Sequence, residues 1–416
     1  MAKYIINGGK KLYGKVKIES AKNAVLPIIA GACLIEDEVI IENCPKIDDV
    51  LNMIKIIKSL GVKAYFDDDN LVINASSLSL STVSEDLSKK LRSSFFLLGA
   101  LLSKSKKAKL YFPGGCKIGK RPIDIHIESF KSLGVKVTED EDKIECVLDN
   151  LESKNITLKY PSVGATENLI LLLAISNVTV KIYNPAKEPE IEDLANFLNK
   201  AGAKIYGAGT DVIEIVGVKK LKGVSYRAIF DRIEAGTYMI ATALTGGEVE
   251  ILGVNPKKIE ALLNKFYNNT CKIGVKDDII TVCSKNRFRG FCVETNPYPY
   301  FPTDLQAQMT VLATVSDGCS KVIENVFESR FEYVKALVQM GADITVDGNK
   351  LIIKGKRNLF GGNVKANDLR GGAALTLAGL VAEGETVVSD VFHIERGYVD
   401  FTGKLKSLGA DVERVE

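Results

Sequence analysis

Histidine is nearly missing from this chain. His126 and His393 are the only two in 416 residues, and none of the eight cysteines (33, 44, 116, 146, 271, 283, 292 and 319) belongs to a CxxC pair. Zinc sites and disulfide frameworks draw on such residues at short spacings, so the sequence argues against both; nothing else in it calls for a metal or organic cofactor. A surplus of one charge is also lacking. Lys plus Arg number 55 against 52 Asp plus Glu, which leaves no global basic field for nucleic acid or an anionic membrane, only room for local anion sites. Long apolar runs are absent too. No window reaches the roughly eighteen uninterrupted apolar residues of a spanning helix, and the start, Met1-Ala2-Lys3-Tyr4-Ile5-Ile6-Asn7-Gly8-Gly9, lacks the apolar core of a signal peptide. A cytoplasmic protein that neither enters membranes nor binds nucleic acid is expected.

What remains is ordinary globular material, 46% hydrophobic and 26% charged, long enough to build two or three domains' worth of core and to be an enzyme. Most cysteines lie in apolar or β-branched surroundings, as Cys33 does in Ile28-Ile29-Ala30-Gly31-Ala32-Cys33-Leu34, and read as small core hydrophobes. Cys116 differs. It sits in Pro113-Gly114-Gly115-Cys116-Lys117-Ile118-Gly119-Lys120-Arg121-Pro122, where nearby cations favour the thiolate and the glycines permit unusual backbone angles. Two readings stay open on this segment alone: a reactive cysteine at an anion site, or a glycine-rich surface turn with an incidental thiol.

A helical pattern closed by a hydrophobic residue and glycine, then a β-like run, recurs at Leu60-Gly61-Val62, Leu133-Gly134-Val135, Ala201-Gly202-Ala203, Met340-Gly341-Ala342 and Leu408-Gly409-Ala410. Each glycine suits the position just past a helix. A fainter copy without glycine, Asn264-Lys265 through Cys271-Lys272-Ile273, completes six units spaced by roughly 70 residues. Ahead of each comes an apolar helix rich in small residues, such as Ile28 to Cys33, Ala235 to Leu244 and Ala373 to Val381. Helices apolar on nearly every side belong inside a fold. The expectation is an α/β protein of two domains with three units each, 21–229 and 1–20 plus 230–416, since length favours two cores over one.

Several buried helices begin with charge: Lys22-Asn23, Arg92, Asp231-Arg232, Asp304 and Asp368-Leu369-Arg370. Aspartate there reads as a cap, the favoured reading for Asp231. Basic residues at the positive end of a helix instead call for an anion, so Lys22, Arg92 and Arg370, with Arg121 and Arg396 nearby in pattern, suggest anion binding. Any one of these arginines could instead serve a surface salt bridge.

The segments SAKNAVLPI, PGGCKIGKRPID, PSVGATENL, PTDLQAQ, NDLRGGAALTLAG and HIERGY, in that order over the full length, resemble the UDP-N-acetylglucosamine 1-carboxyvinyltransferase (enolpyruvyltransferase) family. The resemblance implies two domains of three βαβαββ-type repeats, the inverse α/β barrel, with the active site in the cleft between them. It implies transfer of the enolpyruvyl group of phosphoenolpyruvate to the 3′-hydroxyl of UDP-N-acetylglucosamine with release of phosphate, the first committed step of peptidoglycan precursor synthesis. By the family pattern Lys22, Asn23, Arg121, Arg370 and Arg396 surround phosphoenolpyruvate. Arg92, Arg121, Pro122, Ile123, Asp124, Ile125, Tyr160, Pro161, Ser162, Val163, Asp304 and Val326 meet the nucleotide sugar, with Asp368 and Arg232 in support. Cys116 matches the proton donor, which the epoxide fosfomycin alkylates, and Asp304 the group beside the sugar hydroxyl. The two histidines are expected to hold loops. Two alternatives were weighed: a 5-enolpyruvylshikimate-3-phosphate synthase-like enzyme, whose hallmark glycine-asparagine-alanine-glycine-threonine run is replaced here by Leu91-Arg92-Ser93-Ser94-Phe95, and a non-catalytic binding protein built of repeats.

Overall fold

The computed structural model describes residues 2–112, 123–356 and 358–416, apart from the side chains of Lys90 and Arg92. Cys116, Arg121 and Pro122 therefore lie outside the described residues. These residues divide into two compact units, one of 2–19 with 230–416 and one of 20–112 with 123–229. Among the described residues the chain passes between units twice, beside two backbone bonds: Ala21 N–H donates to the Ile229 carbonyl at 2.7 Å, and Asp231 N–H to that of Glu19 at 2.8 Å.

One strand arrangement recurs. In the second unit Val224–Arg227 pairs parallel with Glu38–Glu42, which pairs antiparallel with Asn70–Asn74, itself antiparallel to Lys63–Asp67. The order Ile156–Thr157, Thr179–Tyr183, Val212–Val216, Lys204–Tyr206 repeats it. The third sheet there has only Lys107–Tyr111, Lys143–Leu148 and Val135–Glu139, with a single parallel bridge, Thr82 to Lys109, where a fourth strand would lie. The first unit holds three four-stranded sheets of the same order, centred on Glu248–Leu252, Cys319–Glu324 and Glu385–Ser389. Each central strand alternates buried and exposed residues, as a sheet with one face on the core requires.

Beneath the sheets lie helices with almost no wet face. Nine consecutive residues, Ala24 to Ala32, are buried in the helix Lys22–Ala32, and the helices Leu97–Ser105, Val163–Ala174, Arg232–Thr245, Gln306–Thr314 and Leu369–Gly379 are buried over nearly their full length. Small residues let them approach. A Cβ added to Gly99 would stand 2.2 Å from the Asn168 carbonyl oxygen, and Gly99 N–H donates to Asn168 Oδ1 at 2.8 Å, so the helices Leu97–Ser105 and Val163–Ala174 cross with backbone nearly in contact. The outer helices, such as Asp48–Ser59 and Pro189–Lys200, bury one stripe only. Gly61, Gly134, Gly202, Gly341 and Gly409, each one residue past the cap of an outer helix, hold φ between +87 and +104, the left-handed turn-off the sequence predicts.

Candidate active site

In the first unit the chemistry converges on Asp304. The chain enters the buried helix Gln306–Thr314 through a 3₁₀ turn, Thr303–Leu305, and no side chain caps either element. The capping role open to Asp304 in the sequence is not taken. Its oxygens go to two arginines: Arg330 Nη2 donates to Oδ1 at 2.6 Å and Arg370 Nη2 to Oδ2 at 3.0 Å. Both guanidinium side chains are about 95% buried while 26% of the Asp304 side chain is exposed, so the carboxylate is reachable and its clamps are not. Burial opposes its ionisation, but Arg370 and then Arg330 outweigh that and hold the carboxyl well below the usual range. Such a group is anionic at neutral pH and a weak proton acceptor while both clamps hold it. It is well suited to orient a hydroxyl.

Each clamp is itself built in. Asp368 caps the helix Leu369–Gly379, accepting from the N–H groups of Arg370 and Gly371 at 2.9 and 3.0 Å, and the Arg370 guanidinium lies 5.6 Å from the Tyr398 ring centre. The Tyr398 hydroxyl in turn meets Thr237 Oγ1 at 2.9 Å, with Gln308 Nε2 at 3.3 Å from both. Among the described residues Arg370 Nη1 and Arg330 Nε are buried without a hydrogen-bond partner, donors spare for further acceptors. Arg396 follows the short helix Phe392–Glu395 and is partly exposed. Among the described residues His393 Nδ1 is buried with no hydrogen-bond partner, and the ring rests 4.1 Å from that of Phe392. Asp231 caps as expected, accepting from Ile233 and Glu234 N–H at 2.8 and 2.9 Å. Arg232 lies 5.8 Å from the Tyr298 ring and lines a cavity of about 650 Å³ between the helix Glu260–Tyr267 and the segment 296–302. Val326 donates its N–H to Glu324 Oε1 at 2.9 Å.

In the second unit Lys22 opens its helix with no side-chain cap, and its Nζ pairs with Asp49 Oδ2 at 3.0 Å, the lysine side chain 13% and the aspartate 3% exposed. Here, as at Arg370, a carboxylate of the protein itself pairs with the cation at the helix start. Asn23 sits beside it, partly exposed. Arg92 opens the 3₁₀ turn Arg92–Phe96. Ile123 precedes the helix Asp124–Ser132, which carries Asp124 and Ile125 in its first turn. That helix approaches the Tyr160-Pro161-Ser162-Val163 corner: a Cβ on Gly164 would stand 2.9 Å from His126 Nε2. Ser162 caps the helix Val163–Ala174, accepting from Ala165 N–H at 3.4 Å, and Tyr160 is exposed. Two helix N-termini thus face one corner, a source of N–H donors for phosphate oxygens.

The reading from sequence missed Arg330 and Asp49. Arg330 lies in an irregular segment with no periodicity or cap pattern to mark it, and Asp49 read only as a first-turn acid. The thiols divide as chemistry demands. Burial pushes Cys33, Cys44 and Cys146 up to about 12, while Cys292 and Cys319 are exposed, an exception to the reading of cysteines as core.

A sequence model of the EPSP synthase (3-phosphoshikimate 1-carboxyvinyltransferase) family matches residues 6–405. In Caldanaerobacter subterraneus subsp. tengcongensis, UDP-N-acetylglucosamine 1-carboxyvinyltransferase 2 is 45% identical over all of both chains. The chain belongs to this enolpyruvyltransferase family. UDP-N-acetylglucosamine 1-carboxyvinyltransferase 1 of the same organism is 46% identical over 99% of both chains, so identity does not separate the two forms. Among solved structures, the enolpyruvyl transferase NikO from Streptomyces tendae superposes with a TM-score of 0.89 at 24% identity, covering 100% of this chain and 99% of that one. That likeness establishes the mixed α/β enolpyruvyltransferase fold.

Proposed function

We infer that this protein is a UDP-N-acetylglucosamine 1-carboxyvinyltransferase of peptidoglycan synthesis. It moves the enolpyruvyl group of phosphoenolpyruvate onto the 3′-hydroxyl of UDP-N-acetylglucosamine and releases phosphate. The observation that carries this is 45% identity over the whole length to enzymes of that name; a shikimate-pathway role has only the family-level match. In this reading the six sheets are six copies of one unit, and the protein works in the cytoplasm; among the described residues no helix is long and apolar enough to cross a membrane.

Phosphoenolpyruvate carries a phosphate and a carboxylate on three carbons, so its site needs several cations in little space. We assign Lys22, Asn23, Arg121, Arg370 and Arg396 to it. Arg92, Pro122, Ile123, Asp124, Ile125, Tyr160, Pro161, Ser162, Val163 and Val326 are assigned to the nucleotide sugar, with Arg121 and Asp304 serving it as well. The Cys116 thiol gives a proton to the terminal vinyl carbon while the sugar oxygen attacks the neighbouring carbon and loses its proton. The tetrahedral phospho-ketal then expels phosphate as a proton of the new methyl group returns to the Cys116 thiolate, restoring the double bond and the thiol. Asp304 orients the attacking hydroxyl and takes its proton once a clamp loosens. The test is phosphate release from phosphoenolpyruvate with and without UDP-N-acetylglucosamine, with mass spectrometry of the product. Release that ignores the nucleotide sugar, or no enolpyruvyl ether, overturns the reading.

A further inference from the structure

Two arginines on one carboxylate raise the question of what each is for. Arg370 is assigned above to phosphoenolpyruvate, so on substrate binding its guanidinium has a second anion to serve. Arg330 is tied differently. Its Nη2 donates to Asp304 Oδ1 at 2.6 Å while its Nη1 donates to Thr303 Oγ1, also at 2.6 Å, so one guanidinium grips two consecutive residues of the turn. Thr303 Oγ1 in turn donates to Glu324 Oε2 at 2.8 Å, and Glu324 Oε1 accepts from Val326 and Phe327 N–H at 2.9 and 3.0 Å. The Phe327 ring lies 5.0 Å from the Arg330 guanidinium. These bonds close a ring that starts and ends on the segment 324–330. Arg330 is 5% exposed and Glu324 3%, so the guanidinium and the carboxylate behind Thr303 are largely shielded from water, and a planar fork held at two points loses little freedom in keeping its aim.

We propose that Arg330 is a positioning residue for the transfer reaction, holding Asp304 Oδ1 and the turn Thr303–Leu305 in place so that the carboxylate stays aimed when Arg370 engages substrate. The proposal rests on the transferase reading. Among the described residues the charged and titratable groups around Asp304 are few. Arg330 and Arg370 touch it, Glu324 stands behind Thr303, and Tyr398, Asp231 and Asp368 stand around Arg370. Tyr333, whose hydroxyl donates to Thr310 Oγ1, lies behind Arg330. Removing Arg330 leaves one clamp, which drives the Asp304 ionisation toward higher pH.

The experiment follows Asp304 by carbon-13 carboxyl NMR of aspartate-labelled, ligand-free protein, with Asp304→Asn supplying the assignment. Wild type, Arg330→Gln and Arg330→Lys are compared, and kcat and KM are measured in the same preparations from about pH 5 to 9. In Arg330→Gln the Asp304 titration is expected to rise by about one pH unit or more. Its kcat should fall roughly 10- to 100-fold, with KM for phosphoenolpyruvate within about threefold of wild type. Arg330→Lys keeps the charge without the fork, so it should leave Asp304 ionised while kcat still falls about tenfold. An unmoved titration in Arg330→Gln, a loss carried by KM alone, or wild-type kcat in Arg330→Lys overturns the proposal; the lysine variant decides it if the glutamine variant does not fold. Absence of phosphate release from wild type would instead sink the transferase reading, while the NMR titration would still report whether Arg330 governs Asp304.

Discussion

Asp304 is the residue on which local rules and function part. An aspartate at a helix start is ordinarily a cap, and Asp231 and Asp368 obey, but both oxygens of Asp304 are committed to arginines. Asp304→Ala is expected to lower kcat on the order of a thousandfold with little change in nucleotide-sugar affinity, because its hydroxyl contact matters most in the transition state. Normal turnover of the folded variant would reduce Asp304 to a structural partner of the two arginines. Cys116, named by motif alone, has its own test. Cys116→Ser should lose most turnover, since a hydroxyl is a far weaker acid than a thiol, whereas Cys116→Asp should stay active and resist fosfomycin. Cys292 and Cys319, being exposed, are the competing thiols, and a fosfomycin adduct found on either by mass spectrometry would contradict the assignment.

At the scale of the element, the buried helices depend on small residues at their crossings. Gly99 is the tightest case in the second unit, with no room for a methyl beside the Asn168 carbonyl. Gly99→Ala should destabilise by about 1–3 kcal/mol and lower Tm, because the two helices must part to admit the new carbon. A Cβ on Gly246 would meet only the Ser284 carbonyl oxygen, at an ordinary 3.6 Å, but the residue has φ +76, so Gly246→Ala is strained by backbone alone, by roughly 1 kcal/mol. Equal Tm values for wild type and Gly99→Ala in calorimetry would mean that the helices are not in close contact there.

For the molecule as a whole, stability depends on pH through buried ionisable groups, and one set of them follows the chain crossing at residue 230. Beside it, within the first unit, Glu234 accepts from Lys404 Nζ at 2.8 Å and from Glu19 N–H at 2.9 Å, and Lys404 also reaches Glu19 Oε1 at 3.0 Å. Burial pushes the Glu234 carboxyl up to about 7, against the pull of Lys404. An acid raised in the folded state binds more protons there than when unfolded. Its contribution is full below the unfolded value near 4.5 and is lost as pH rises through about 7. Stability should therefore fall between those limits, with a slope of at most about 1.4 kcal/mol per pH unit from this group. Glu234→Gln should flatten that descent in urea titrations; an unchanged slope would place the titrating group elsewhere. Asp304 acts with the opposite sign, its depressed carboxyl adding stability that disappears only as pH falls below the ordinary carboxylate range.

Local chemistry along the chain was enough to mark the α/β class, the buried helices and the glycine that ends five of the outer helices, because helix period, capping and left-handed turns act over a few neighbours, while the motif residues were marked by family resemblance. Asp231 and Asp368 were legible as caps for that reason. Only the tertiary structure decided which charges meet. Asp49 reaches Lys22 across 27 positions, Arg330 reaches Asp304 across 26 and Arg370 across 66, and no periodicity relates such residues. Burial sets the worth of those contacts by removing the water that would screen them, and burial belongs to the packed units, not to any stretch of sequence.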